Sequence, residues 1–453
     1  MFRKKEDSRL YKAGIIAAWL IIWQIVSMLV DNSILLVGPL ETFGVLLGKV
    51  AELSFWTSIG SSFLRISAGF LAGWIVGLLL AIASAAFRWL ESLLMPVISL
   101  MKTVPVASFV VLFLIWFRTD KLAIVISMAV VLPIVYLNTL EGIKSTDRKL
   151  LEMAKVYEIC PRDKFLYIYR PALKPFWESC MKLSVGMSWK SGVAAEVIGT
   201  PDLSIGEQLY MSKIYLDTAG VLAWTVVIIG VSILCEKVFL RLWQNFLEWQ
   251  PACRGVEIET KGTVCESADI ARDCTLDNGE EGILLQLSDV SKAYDEEQIL
   301  EGFNASYKAG QVYYFKTPSG SGKTTLFRLI ADLEKPDAGE IRCNAKLAYA
   351  FQEDRLCESY TALKNLELVC GDINAAKAYL LPLLDEADLQ KPCSQLSGGM
   401  KRRVAVARAF AVRREIVLLD EPFSGLDEEN RRKMQEYIRE HSKGKVILIA
   451  THV

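Results

Sequence analysis

Six stretches of this sequence are apolar over about the 20 residues a helix needs to cross a hydrocarbon core. They are 13–30, 57–86, 92–117, 121–140, 173–198 and 219–240. From residue 243 onward the chain reads as an ordinary charged soluble domain. That division excludes a wholly soluble protein, a disordered chain and a small disulfide scaffold. The third stretch contains Lys102 and Pro105, and the proline is expected to bend it. Five and six crossings both remain open.

Arg3, Lys4, Lys5, Arg9 and Lys12 precede the first stretch and place that end in the cytoplasm. The stretch is long enough to stay in a bilayer and no small-residue cleavage site follows, so it does not read as a cleavable signal. With six spans, Arg88, the basic run from Lys144 to Lys174, Lys237 and Arg241 also fall inside. Outside there are only Lys49, Arg118, Lys121 and Lys213. The bias supports six spans with both ends cytoplasmic, and it puts the polar half in the cytosol. A net charge of −1 gives no case for nucleic-acid binding. Ten scattered cysteines without a C-x-x-C pair fit free thiols in a reducing cytosol better than zinc ligands or disulfides.

A long basic segment, 141–172, joins the fourth and fifth stretches and reads as two short helices split at Pro161. Glu152-Met153-Ala154, followed by Ile168 and Pro171, resembles the "EAA" loop of binding-protein-dependent ABC import permeases. In that family the loop forms coupling helices that sit in a groove of the ATPase. The family pattern has Gly where this chain has Glu158. Ser62-Phe63-Leu64-Arg65, Lys102-Thr103-Val104-Pro105, Leu137-Asn138-Thr139 and Ala194-Ala195-Glu196 are similar to the nitrate/sulfonate/taurine group of those permeases.

Ionisable residues inside the apolar stretches usually face a protein interior or an aqueous path. Arg65 and Lys182 read as snorkelling near helix ends. Lys102, Lys190 and Glu196 are the candidates for a substrate path, and either lysine would suit an anion. Residues 243–282 hold Pro251, Gly255, Gly262 and Gly279 among many charges, with no persistent apolar period. They read as a tether.

The polar half carries a dense set of motifs. Val312-Tyr313-Tyr314-Phe315 reads as a strand, then Thr317-Pro318-Ser319-Gly320-Ser321-Gly322-Lys323-Thr324-Thr325 leads into a helical pattern. This is the strand–loop–helix context of a phosphate-binding loop, in which backbone N–H groups cradle the phosphates. Lys323 would reach the β- and γ-phosphates and Thr324 would coordinate Mg²⁺. Thr317 stands where the literal pattern begins with Gly, which is expected to weaken nucleotide binding without removing it. Ile416-Val417-Leu418-Leu419-Asp420-Glu421 reads as a buried parallel strand delivering two acids at its C-terminal edge. Asp420 would hold Mg²⁺ through its water shell, and Glu421 would be the general base.

Leu396-Ser397-Gly398-Gly399-Met400, followed by Lys401-Arg402-Arg403, resembles the signature motif of ATP-binding cassettes. The resemblance covers nearly all of 283–453. It implies that Ser397 and its glycines contact the γ-phosphate of ATP held by another subunit. Gln352 then matches the Q-loop residue, which senses Mg²⁺ and touches the coupling helices. Ser424-Gly425-Leu426-Asp427 matches the D-loop, with Asp427 across a dimer interface. His452 matches the switch histidine, and Tyr294 sits where an aromatic stacks on adenine. The chain ends one residue after His452, where such cassettes continue with a further helical segment. The cassette is therefore expected to be truncated or naturally short.

The expected protein is a membrane all-α permease (1–242), a linker (243–282) and an α/β P-loop cassette (283–453). Because the signature motif works in trans, a homodimer with ATP and Mg²⁺ as cofactors is the simplest complete unit. The resemblance to importers implies a separate extracytoplasmic binding protein and a small anion such as a sulfonate, taurine or nitrate. A thiamine-precursor pyrimidine, a heterodimer whose own ATP site is degenerate, and a membrane-anchored nucleotide sensor stay open. An exporter is disfavoured by the short loops and the Glu152…Pro171 spacing.

Overall fold

The apolar stretches fold as helices in the computed structural model, which describes residues 3–30, 32, 34–248, 282–295, 297–318 and 320–451. Helix α1 covers Arg3–Val30, α2 Pro39–Val50, α3 Leu53–Ala86, α4 Arg88–Thr103, α5 Val106–Trp116 and α6 Thr119–Lys144. Next come α7 (Arg148–Val156) and α8 (Pro161–Lys164), which runs through a π-helical stretch, Phe165–Tyr169, into α9 (Arg170–Gly199). Helices α10 (Ile205–Ile214) and α11 (Thr218–Glu248) follow. The chain divides into two compact units. One comprises Met1–Ser145 with Ala172–Trp249, the other Thr146–Pro171 with Gln250–Val453.

In the first unit α3 packs on α6 with glycines at the seam. A Cβ on Gly69 would lie 2.3 Å from the Ile124 carbonyl oxygen, and one on Gly73 or Gly77 would lie 2.9 Å from α6 atoms. This four-residue spacing of small residues lets two apolar helices approach at backbone distance. Of the long apolar helices, α6 is the most enclosed and α11 the least.

The six apolar stretches do not all form helices of the same kind. Among the described residues three helices, Leu53–Ala86, Thr119–Lys144 and Thr218–Phe246, are long and apolar enough to cross a membrane. The stretch expected at 92–117 is two helices, α4 and α5, bent by 108° at a break beside Pro105. The count reaches four if that pair is one broken span. Pro105 lacks the N–H that would continue α4 and instead sits at the N-cap of α5. The 173–198 stretch forms α9, but Lys174, Glu178, Lys182, Lys190 and Glu196 are spaced along its whole length. Gly14–Val30 is a shorter apolar helix.

In the second unit α7 begins where the Asp147 carboxylate accepts the Lys149 N–H at 2.8 Å, a side-chain N-cap. Met153, Tyr157, Leu166, Tyr167 and Ile168 from this segment are buried in the same apolar core as the strands and helices after residue 282. Those strands are β1 (Ile283–Tyr294), β2 (Glu297–Lys308), β3 (Val312–Lys316), β4 (Ala338–Cys343), β5 (Leu347–Ala350), β6 (Ile416–Asp420) and β7 (Val446–Thr451). The helices are α12 (Lys323–Ile330), α13 (Ala362–Cys370), α14 (Ile373–Leu380), α15 (Glu386–Leu389), α16 (Gly398–Ala411) and α17 (Glu428–Glu440). An antiparallel sheet runs β2-β1-β4, and a parallel sheet runs β3-β7-β6-β5. Strand β6 is buried along its whole length, which is why its sequence is an unbroken apolar run. Of the expected linker, 249–281 lies outside the described residues, and Trp243 to Glu248 continue α11.

Candidate functional site

The carboxyl ends of β3 and β6 place the candidate residues, as parallel sheets do. Beyond β3 the loop turns through Gly320 (φ 85°) and Gly322 (φ 78°) and enters α12 at Lys323. Both glycines sit in the left-handed region that other residues enter only at a cost. Thr317 is not among the positive-φ residues, so its turn does not require glycine. Its hydroxyl is 2.5 Å from that of Ser321. Lys323 Nζ donates to the carbonyls of Thr317 (2.5 Å) and Pro318 (2.9 Å), folding back over the loop. Ser319 and His452 lie outside the described residues.

At the end of β6, Asp420 is buried. Its Oδ2 accepts hydrogen bonds from the hydroxyls of Thr324 (3.0 Å) and Tyr349 (3.2 Å). Burial pushes the Asp420 carboxyl up, and these two hydroxyls pull it back. A hydroxyl and a carboxylate in contact form a hard-oxygen donor set. That suits Mg²⁺, which takes one or two protein oxygens and completes its shell with phosphates and water. Among the described residues no group of three or more His, Cys, Asp and Glu could hold a metal alone. Glu421 has φ 51°, and its Oε1 accepts from Gln352 Nε2 at 3.2 Å. The structure thus brings Thr324 to Asp420 and Gln352 to Glu421.

Ser397 caps α16, its hydroxyl accepting the Met400 N–H at 3.3 Å. Asp427 caps α17 through the Asn430 N–H at 2.9 Å. A Cβ on Gly399 would lie 3.1 Å from the Gly425 carbonyl oxygen, so this glycine of the first motif permits close approach to the second. Tyr294, 43% exposed at the end of β1, donates its hydroxyl to Glu334.

The 146–171 segment contributes a second polar cluster. Glu152 is held bidentately by Arg328 Nη1 and Nη2, both at 3.0 Å, and by Arg355 Nη1 at 2.6 Å. Burial alone would raise the Glu152 carboxyl, but the two guanidinium groups hold it below the ordinary range. Ala154 is buried beside it, and Pro171 lies in the first turn of α9. Glu158 stands in the left-handed region at φ 53°, at the position where the importers' loop pattern has glycine. Its carboxylate pairs with Lys346 (3.0 Å) and Arg414 (3.2 Å).

In the helical unit Lys102 and Lys190 are exposed. Glu196 is fully buried, accepting from Ser62 Oγ at 2.6 Å and the Gly206 N–H at 3.4 Å, with Arg65 at 4.0 Å. The same Ser62 hydroxyl accepts the Ile205 N–H at 2.9 Å, so Ser62 and Glu196 together satisfy the first two N–H groups of α10, and Ser204 caps the Glu207 N–H.

Sequence reasoning missed Arg328, Glu334, Arg355 and Tyr349, and it read Arg402 only as part of a basic helix start. Arg402 is buried and donates to the carbonyls of Phe351 (2.5 Å), Gln352 (3.2 Å) and Glu421 (2.8 Å). The signal was available in the helical period, since Arg402 shares a face of α16 with buried Ala405, Val406 and Ala409.

Residues 69–248 match the family described as "Binding-protein-dependent transport system inner membrane component". Residues 300–424 match the family described as "ABC transporter". The chain is 35% identical, over 35% of its length and 66% of the relative's, to an aliphatic sulfonates import ATP-binding protein of Nocardia farcinica. It is 33% identical to a Nod factor export ATP-binding protein of Burkholderia orbicola, over 37% of this chain and 62% of that one. It is 35% identical to a sulfate/thiosulfate import ATP-binding protein of Synechococcus elongatus, over 35% of this chain and 52% of that one. The chain therefore spans between about half and two thirds of the length of these curated relatives. A solved dimeric ATP-binding cassette, in a post-hydrolysis state bound to ADP and Pi, is 30% identical. That likeness covers 37% of this chain and 88% of the other, with a TM-score of 0.35.

Proposed function

We propose that this chain, which joins a permease domain of the binding-protein-dependent family to an ABC transporter domain, uses ATP hydrolysis to import a small solute. The observation that carries this reading is the segment 146–171. It interrupts the permease sequence, yet its apolar side chains are buried in the core of the cassette unit. A segment shared in this way would transmit cassette closure to the membrane helices.

Lys323 and the N–H groups of the loop before α12 bind the nucleotide phosphates. Thr324, Asp420 and Gln352 would hold Mg²⁺, which would neutralise charge on the phosphates. Glu421 accepts the proton of the attacking water, and the Gln352 amide at 3.2 Å orients its carboxylate. Tyr294 stacks on the adenine. His452 contacts the γ-phosphate. Ser397, Gly398, Gly399 and Asp427 complete the site of a second copy, which makes a homodimer the working unit.

The description of the permease family supports a separate binding protein and a place in the inner membrane, and the resemblance of Glu152-Met153-Ala154 with Pro171 to the importers' loop supports an inward direction. The cassette relatives include both import and export proteins, so they do not carry that part of the reading. The names of the two import relatives favour a small sulfur oxyanion or sulfonate. The test is ATP hydrolysis by the purified chain in lipid nanodiscs beside Glu421→Gln. Hydrolysis lost in the variant with nucleotide binding kept supports the reading. No hydrolysis in the unaltered chain sinks it.

A further inference from the structure

Four side chains form one hydrogen-bonded chain inside the cassette unit. The Tyr294 hydroxyl donates to Glu334 Oε2. The other oxygen of the same carboxylate accepts from Arg328 Nε at 2.5 Å. The remaining edge of that guanidinium holds both oxygens of Glu152 at 3.0 Å. Arg328 belongs to α12, the helix that starts at Lys323. Glu334 follows that helix, Tyr294 ends β1, and Glu152 sits on α7. Arg328 and Glu334 are each about a quarter exposed, so the pair is partly shielded from water. Two further cations border the chain: Arg355 on Glu152 at 2.6 Å, and Lys292 5.6 Å from the Tyr294 ring centre and paired with Asp337.

We propose that Glu334 is a positioning residue that ties the ring of Tyr294 to Glu152 through Arg328, so that the seating of the 146–171 segment sets how firmly the nucleotide base is held. The inference rests on the reading of Tyr294 as the adenine platform and of 146–171 as the coupling segment. The geometry makes the link specific. A guanidinium shared between two carboxylates responds to the loss of either. Without the Glu152 charge, Arg328 is drawn wholly onto Glu334. The oxygen that fixes the Tyr294 hydroxyl then moves with it. Lys323 and Thr324 make none of these bonds, and only the Tyr294 hydroxyl, which also bonds Thr325, reaches toward their segment, so the effect falls mainly on the base.

The test uses the full chain in lipid nanodiscs, with Mg-ATP and Mg-tripolyphosphate each competing against a fluorescent ATP analogue. Four proteins are compared: the unaltered chain, Glu152→Gln, Tyr294→Phe and the double variant. Glu152→Gln should weaken ATP by about threefold to tenfold, the worth of one hydrogen bond. It should leave tripolyphosphate unchanged and add nothing in the Tyr294→Phe background. Glu334→Gln should give the same base-selective loss, and it carries the test if Glu152→Gln does not fold. Equal weakening of both probes, no weakening of ATP, or a full effect persisting in Tyr294→Phe would each overturn the proposal. If the unaltered chain binds neither probe, the nucleotide reading itself falls and the proposal with it.

Discussion

Arg402 holds two of the candidate site's backbones in place. Its guanidinium donates to the carbonyls of Gln352 (3.2 Å) and Glu421 (2.8 Å) and to Asp354 Oδ1 (3.2 Å). Glu421 sits in the left-handed region, which costs a non-glycine residue about 1–2 kcal/mol, and Arg402 helps to hold it there. Arg402→Ala should therefore destabilise the chain by about 1–3 kcal/mol, since it leaves the partly buried Asp354 carboxylate and several carbonyls unpaired. The measurement is the thermal midpoint of the purified protein. Arg402→Lys should fold better yet hydrolyse ATP more slowly, because one ammonium cannot reach this spread of acceptors. Lys401-Arg402-Arg403 read in the sequence only as a basic helix start. Charge alone does not separate the buried arginine from its neighbours. Asp420 and Glu421 were legible because an apolar run ended on them. The partners of Glu152 were not, because Arg328 and Arg355 lie 176 and 203 residues away.

Helix α3 meets α6 through glycines, and substitutions along it should divide by what each Cβ would meet. Gly69→Ala would press a methyl against the Ile124 carbonyl and should cost about 1–3 kcal/mol. Gly60 has nothing within 4 Å of its would-be Cβ, and Gly60→Ala should be neutral or stabilising by roughly 0.5–1 kcal/mol. Thermal melts of both variants in the same detergent decide this, and equal shifts would contradict the packing. The apolar period gave α3, α6 and α11 well, because length and hydropathy are local properties. It failed on α4 and α5, where a single proline converts one stretch into a pair bent by 108°.

The segment 146–171 has its own pH signature. Burial would raise Glu152 and Glu158, but Arg328 and Arg355 on the first, and Lys346 and Arg414 on the second, hold both below the ordinary glutamate value. Their contribution is full above that value and is lost as pH falls through the lowered ones. Amide protection of α7 should therefore fall on acidification through and below the ordinary glutamate range. In a Glu152→Gln/Glu158→Gln chain it should be lower at neutral pH and flatter across that range. A profile unchanged by the double substitution would remove these carboxylates from the docking.

For the whole molecule, the homodimer reading predicts complementation. Lys323→Ala damages a chain's own phosphate loop, whereas Ser397→Arg damages the motif it offers to its partner. Each variant alone should be inactive. Co-expressed, they should recover nucleotide trapping at about a quarter of the unaltered level, since random pairing makes about half of the dimers mixed and one of two shared sites is intact in a mixed C₂ pair. No recovery would argue for sites complete within one chain. The two-unit organisation was legible from the split in hydropathy. The allotment of 146–171 was not, because its charges marked it as a loop while its buried tyrosines and aliphatics belong to the cassette core.

That allotment changes what a boundary means in this protein. The polypeptide passes from one unit to the other three times, at 145/146, 171/172 and 249/250. No single cut separates the halves. A recombinant fragment starting after the linker would uncover the apolar seat of Met153, Tyr157 and Ile168. It would behave as a protein missing an internal strut rather than as a free-standing ATPase. Conversely, a synthetic peptide spanning 146–171 is the natural ligand of such a fragment, and its solubility should depend on having that peptide present.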